Sequence, residues 1–164
     1  LAAALAARHA ADLDAVPLLR WLAARGADLE AVDEERNALL HMVDFSFGAE
    51  VARPLLAWAL SEALVRHMDQ RNSDGDTPAL LCAYGSPTGH DALSCLQLFE
   101  AAGADLALVG RGGVNLAMML ARYQGDGPWL GWCYSQAGVD PQDTCAKRRT
   151  VVDYIALHGQ DESD

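Results

Sequence analysis

The sequence predicts an all-α protein, built as a solenoid of about four and a half helix pairs. Apolar residues recur at helical spacing, no stretch alternates as a half-buried strand would, and one phrase repeats with a period typical of stacked structural repeats. Units of this kind cannot bury their hydrophobic face alone and do so by stacking. The chain has 164 residues, 51% of them hydrophobic, which is enough for one such array.

The repeated phrase follows an apolar run and ends in glycine, a small apolar residue and aspartate. Three clear copies and one degraded copy are Arg25-Gly26-Ala27-Asp28, Ala102-Gly103-Ala104-Asp105, Ala137-Gly138-Val139-Asp140 and His67-Met68-Asp69. Each copy is followed by a residue that opens a new apolar stretch. These openings are Asn37, Thr77, Asn115 and Thr150, which lie 40, 38 and 35 residues apart.

The residue types at these positions predict two helices in each complete unit. Glycine after an amphipathic run indicates a helix C-terminus, because glycine adopts the left-handed conformation without a steric penalty. Threonine or asparagine before an apolar run indicates an N-cap. Pro78, directly after Thr77, would occupy the first helical position, where its missing N–H is not needed.

The apolar stripes place the helices in order along the chain. Val16, Leu19 and Leu22 share one helix face in the first unit, and a broader stripe covers 55–64 in the second. The predicted units of this single domain, which covers 1–164, are 1–33, 34–72, 73–109, 110–144 and 145–160, followed by an acidic tail at 161–164. Longer connections between the helices of a pair are predicted at 44–50, 85–91 and 124–128.

The third unit has the most regular sequence. It opens with Asp74-Gly75-Asp76-Thr77-Pro78-Ala79-Leu80-Leu81-Cys82-Ala83 and closes with Leu96-Gln97-Leu98-Phe99-Glu100-Ala101-Ala102-Gly103-Ala104-Asp105. These phrases resemble the Gly-x-Thr-Pro-Leu-His-x-Ala-Ala opening and the Val-x-x-Leu-Leu-x-x-Gly-Ala-Asp close of the ankyrin-repeat family. The family's usual histidine is replaced by Leu80 here and by Leu40 in the second unit, and the internal units are longer than the family's usual period.

The resemblance implies a concave surface, built from the first helix of each pair and from the turns between units. It also implies recognition of other proteins, since the family has no shared catalytic residues. The predicted partner-binding residues therefore lie in these turns, at the ends of first helices and in the loops. They are Arg36, Asp76, Tyr84, Arg111, Arg122, Tyr123, Asp126, Trp129 and Arg148. For Tyr123 and Trp129, packing against a neighbouring unit is the alternative role.

The charge of the chain restricts the classes of partner. Lys plus Arg is 12 and Asp plus Glu is 23, so the net charge is −11. Phosphate neutralisation supplies much of the affinity for nucleic acid, so the acidic charge argues against that partner and against anionic membranes. It favours a protein with a basic surface, which the field of an acidic protein attracts. The alternative is that the charge only keeps the protein soluble and monomeric.

No set of residues predicts an enzyme, a metal site or a cofactor. The two nearest histidines, His67 and His90, are 23 residues apart, whereas metal sites usually need ligands at short spacing. The cysteines form no C-x-x-C pair and are expected to be buried free thiols. They are Cys82, Cys95, Cys133 and Cys145.

The function that the sequence predicts is non-catalytic binding of another protein, in a scaffold-type role, by a chain that is a monomer on its own. Two special cases stay open: an immunity-type inhibitor that masks a basic toxin, and a secreted effector that binds host proteins. A regulatory fragment of a larger enzyme is the remaining alternative. Since no signal peptide and no apolar run of about 20 residues is visible, we predict a cytoplasmic location.

Overall fold

The computed structural model describes residues 15–61, 63–135 and 138–158. Over these ranges the chain is helical and contains no strand, which confirms the all-α prediction. The predicted acidic tail and residues 1–14 of the predicted first unit lie outside the described residues. The α-helices are α1 (Ala15–Ala23), α2 (Ala49–Ser61), α3 (Pro78–Gly85), α4 (Gly89–Ala102), α5 (Leu116–Gln124), α6 (Pro128–Ser135) and α7 (Val151–Ala156). Short 3₁₀ helices cover Leu39–Met42, Ala63–His67 and Arg111–Gly113.

The helices form two layers. The first-helix layer contains the 3₁₀ turn Leu39–Met42 followed by α3, α5 and α7, each packed against the next. The second layer contains α1, α2, α4 and α6 in the same order. The core between the layers is made of aliphatic and aromatic side chains with less than 2% of their surface exposed. They include Leu40, Leu56, Leu80, Leu96, Phe99, Leu116 and Leu120.

Four turns with the same hydrogen bonds connect the successive helix pairs. In the second turn, the Asn72 N–H donates to the Asp76 carbonyl and the Gly75 N–H donates to the Asn72 carbonyl, both at 3.0 Å. The same two bonds close every turn, and the four turns start 39, 38 and 35 residues apart. They span 33–37, 72–76, 110–114 and 145–149.

The fourth residue of each turn lies in the left-handed region of φ. Glycine fills this position in two turns, Gly75 with φ 89° and Gly113 with φ 74°. Arginine fills it in the other two, Arg36 with φ 62° and Arg148 with φ 59°. Because this conformation costs a residue with a Cβ about 1–2 kcal/mol, the two hydrogen bonds of the turn must hold the arginines there.

The predicted N-caps of the third, fourth and fifth units are confirmed. The side chains of Thr77, Asn115 and Thr150 accept hydrogen bonds from backbone N–H groups at the starts of α3, α5 and α7. Gly103, predicted to end a helix, is left-handed with φ 89° and terminates α4. These features were predictable because a cap depends on residues within one turn of the helix end.

The predicted opening of the second unit is wrong by one residue. Asn37 was expected to open the helix, but its carbonyl accepts the turn hydrogen bond that Asp76 accepts in the third unit. Ala38 therefore occupies the place of Thr77, and His41 rather than Leu40 occupies the place of Leu80. Alanine has no side-chain acceptor, and the helix that follows is only the four-residue 3₁₀ turn Leu39–Met42.

All three longer connections are shorter than predicted, the one at 44–50 by a single residue. Between α3 and α4 only 86–88 are non-helical, because the Thr88 side chain caps α4 by accepting from the Asp91 N–H at 3.1 Å. Between α5 and α6 only 125–127 are non-helical, since α6 begins at Pro128. The connection predicted at 44–50 runs over 43–48 and leads from the 3₁₀ turn into α2.

Candidate protein-binding surface

The four turns are joined into one continuous edge, which we call the turn ridge (33–38, 72–77, 110–115 and 145–150). The Ser73 N–H donates to the Glu35 carbonyl at 2.8 Å, and the Ala146 N–H donates to the Gly112 carbonyl at 2.7 Å. Between the second and third turns, the Asp76 carboxylate takes the place of the backbone carbonyl and accepts from the Arg111 N–H at 3.3 Å. The ridge is thus fixed by hydrogen bonds along its length.

The net exposed charge of the turn ridge changes sign from one end to the other. Its first two turns carry the exposed carboxylates of Asp33, Glu34, Glu35 and Asp74, against the exposed cation of Arg36. Its last two turns carry the exposed cations of Arg111, Lys147 and Arg148. Exposed charges interact over about 8 Å in physiological salt, so the two ends attract opposite charges.

Four of the predicted contact residues lie on the turn ridge. Arg36, Arg111 and Arg148 are exposed at the turns, and Arg111 also lies 3.4 Å from the Asp74 carboxylate. Asp76 is half-buried, and burial raises the pKa of its carboxyl group above the ordinary value. Because it accepts the Arg111 N–H, Asp76 supports the ridge in addition to any contact with a partner.

Two exposed tyrosines meet at the C-terminal ends of neighbouring first helices, the helix ends that lie away from the turn ridge. Tyr84 on α3 is 54% exposed and Tyr123 on α5 is 40% exposed. Their ring centroids are 4.7 Å apart and their planes are perpendicular, which is the preferred edge-to-face arrangement. The packing of α3 against α5 brings these predicted contact residues together across 39 positions of sequence.

The structure places Trp129 and Arg122 inside the protein. The Trp129 indole N–H donates to the Gly125 carbonyl at 3.1 Å, and its ring lies so close to Gly89 and Gly127 that neither has room for a Cβ atom. Arg122 is buried and donates to the Leu157 carbonyl. Both side chains therefore hold the fold together, which corrects their prediction as partner contacts.

Asp126 is exposed at its predicted place in the loop between α5 and α6. A hydrogen bond holds that loop in place, because the carbonyl of the neighbouring Gly125 accepts from the Trp129 indole N–H. Asp126 therefore stays accessible to a partner, whereas Trp129, three positions later, is buried.

A notch interrupts the first-helix layer, and sequence reasoning did not predict it. It arises because the first helix of the second unit is only a four-residue turn, whereas α3 and α5 have eight and nine residues. The notch has a volume of about 610 Å³. Its lining residues are Asn37, His41, Met42, Val43, Asp44, Phe45, Leu81 and Gly85. No sequence signal marks it, because it depends on where a helix fails to continue.

His41, which lines the notch, is held as a neutral imidazole. Its Nδ1 accepts from the Ala38 N–H at 3.1 Å, so the N–H of the neutral ring is on Nε2, which donates to the Gln70 carbonyl at 3.0 Å. Burial lowers the pKa of His41 below its ordinary value, and the Gln70 carbonyl opposes this shift. Nδ1 thus satisfies the backbone N–H of the cap residue Ala38, which is the reciprocal bond of a capping box, and protonation of the ring would remove this acceptor.

We expect His41 to make the stability pH-dependent. The unfolded chain binds the proton on His41 more tightly than the folded chain does. The contribution of neutral His41 to the free energy of unfolding is therefore complete above the unfolded pKa of about 6.5. It is lost as the pH falls from that value through the folded pKa. Urea midpoints from pH 8 to 5 should fall more steeply for the wild type than for His41→Gln. Parallel curves would contradict this role.

The four cysteines differ in the pKa of their thiols: a hydrogen bond with Cys82 lowers the pKa of Cys95, whereas at Cys145 burial is outweighed by hydrogen bonds, the first of them from Tyr154, which lower the pKa. All four are buried and free. Burial raises the pKa of Cys133 to about 12, so its thiol stays protonated at neutral pH and is a poor nucleophile. In the described part of the chain, no three histidine, cysteine or carboxylate side chains are grouped to hold a metal ion. No helix within 15–61, 63–135 and 138–158 is long and apolar enough to cross a membrane.

Comparison with known proteins adds no relative to this description. No protein-family model matches the chain, and no curated protein is significantly similar to it in sequence.

Proposed function

We propose that this chain is a non-catalytic protein-binding module, an ankyrin-repeat solenoid that grips a partner with its first-helix layer and turn ridge. The observation that carries the proposal is the contact between Tyr84 and Tyr123, two large exposed rings on neighbouring first helices. Tyrosine is enriched at the hot spots of interfaces, because it offers contact area and a hydroxyl at a low cost in side-chain entropy. The recurrence of one turn geometry in four places supports the repeat assignment.

The partner proposed is a protein with a basic surface, bound by a monomer in the cytoplasm. The net charge of −11 speeds the approach of a basic partner. The acidic end of the turn ridge, with Glu34 and Glu35 at its tip, then meets basic side chains of the partner. The basic end, with Lys147 and Arg148, suits a smaller acidic region of the same surface and would fix the orientation of the complex.

The proposal is tested by capture of the partner from a lysate of the source cells. The tagged protein is immobilised, washed at low and at high salt, and the bound proteins are identified by mass. We expect one stoichiometric protein with a basic surface, whose retention falls as the salt concentration rises, because salt screens exposed charges. Absence of any stoichiometric partner at both salt concentrations would contradict the proposal.

A further inference from the structure

We propose that the notch in the first-helix layer receives an arginine side chain of the partner, with the peptide that flanks it. This inference rests on the proposed function, since the arginine belongs to the bound protein. The volume of about 610 Å³ exceeds what a guanidinium group needs and lies in the range of sites that bind small ligands. It therefore suits an arginine together with its neighbouring residues.

The notch offers an apolar surface to the stem of such a side chain. Met42, Val43 and Phe45 line it on the side of the 3₁₀ turn, and Leu81 lines it on the side of α3. Arginine covers surfaces of this kind with its methylene groups while its charged end stays near water. The exposed wall of the notch is about equally polar and apolar, which suits a long amphipathic side chain better than a wholly apolar one.

Asp44 supplies a negative charge at the same place. It is half-buried, and the Ser46 N–H and hydroxyl group both donate to its Oδ1, at 2.9 and 2.6 Å. These bonds fix the carboxylate and leave Oδ2 for a donor from outside. Neither of the two ion pairs found among the described residues involves Asp44. His41 is neutral with both ring nitrogens engaged, so it does not neutralise the carboxylate.

The half-buried carboxylate favours arginine over lysine. A guanidinium is more weakly hydrated than an ammonium group, so it loses its water at a lower cost beside Asp44. It also carries five N–H donors, so one of them can reach Oδ2 while the stem lies on the wall of the notch. An ammonium group attracts the same charge but keeps its hydration more tightly.

The experiment uses the peptide Ac-Gly-Arg-Gly-NH₂ as a probe, followed by NMR of the labelled protein at millimolar peptide. We expect the signals of Met42, Val43 and Leu81 to shift with increasing peptide. The same peptide with citrulline has the shape of arginine without its charge. Its affinity should be lower than that of the arginine peptide by at least about fivefold. The lysine peptide should also bind more weakly than the arginine peptide.

Two variants locate the interaction. Asp44→Asn should weaken binding of the arginine peptide about 5- to 10-fold, because it removes a charge-assisted pair. Asp140→Asn is the matched control, since Asp140 makes the same type of turn by accepting from the Gln142 N–H at 2.8 Å. Asparagine retains that acceptor in both variants, so both should fold. Asp140→Asn should bind as the wild type does.

Three results would overturn the inference. They are equal binding of citrulline or lysine peptide, no effect of Asp44→Asn, and shifts confined to residues outside the notch. Failure here is distinguishable from failure of the proposed function. If a partner is captured from lysate and binds Asp44→Asn normally, the notch assignment is wrong while the binding function stands.

Discussion

Replacement of Trp129 by alanine is expected to lower the free energy of unfolding by about 3–5 kcal/mol, the usual cost of deleting a buried tryptophan. Trp129 is only 9% exposed, and its ring fills the space beside Gly89 and Gly127. Truncation leaves a cavity between α4 and the loop before α6, and it also leaves the Gly125 carbonyl without its donor. Urea unfolding followed by circular dichroism measures the loss.

The matched control for this prediction is Trp21→Ala. Trp21 lies on α1, is 51% exposed and has the Arg25 guanidinium 3.6 Å from the centre of its ring. An exposed cation–π pair contributes roughly 0.5–1 kcal/mol, so the loss should stay near 1 kcal/mol or below. Equal losses in the two variants would contradict the structural role of Trp129.

Replacement of Asn72 by alanine is expected to cost about 3 kcal/mol, because three hydrogen bonds of roughly 1 kcal/mol each are lost together. The Asn72 side chain accepts from the N–H groups of Asp74 and Asp76 at 3.1 and 3.0 Å. It also donates to the Asn37 side chain of the preceding turn at 3.0 Å. Asn72 therefore supports its own turn and ties it to the preceding one. Urea unfolding again measures the loss.

Asn72→Asp separates these contributions. Aspartate keeps an oxygen for the N–H groups of Asp74 and Asp76 but cannot donate to Asn37, so we expect a loss of about 1 kcal/mol. Identical losses for alanine and aspartate would mean that the bonds within the turn contribute nothing. That result would contradict the importance given to the turn ridge.

Features that depend on neighbouring residues were predictable from the sequence. The helical class, the caps at Thr77, Asn115 and Thr150, and the left-handed Gly103 all follow from residues within one helical turn. In the second unit the same reasoning predicted the wrong cap residue. Asn37 has the chemistry of an N-cap but is the last residue of the turn. Ala38, which has no capping group, occupies the cap position.

Features that depend on distant residues were not predictable. Arg122 can be buried because its guanidinium donates a hydrogen bond to the Leu157 carbonyl, which lies 35 residues away in the sequence. Trp129 is buried because Gly89, 40 residues earlier, leaves space for its ring. The notch exists because the 3₁₀ helix Leu39–Met42 ends at Met42 and does not continue. Each of these required the relative placement of helices, which local patterns in a single sequence do not define.

The central claim is that a partner protein binds the surface that contains Tyr84 and Tyr123. The most direct test is the affinity of the captured, purified partner for three proteins: the wild type, the double variant Tyr84→Ala with Tyr123→Ala, and Trp21→Ala. We expect the double variant to weaken binding by at least about 2 kcal/mol, or 30-fold, as truncation of an interface hot spot does, and Trp21→Ala to bind as the wild type. Unchanged affinity of the double variant, with a loss in Trp21→Ala instead, would contradict the account and place the binding surface on the other layer.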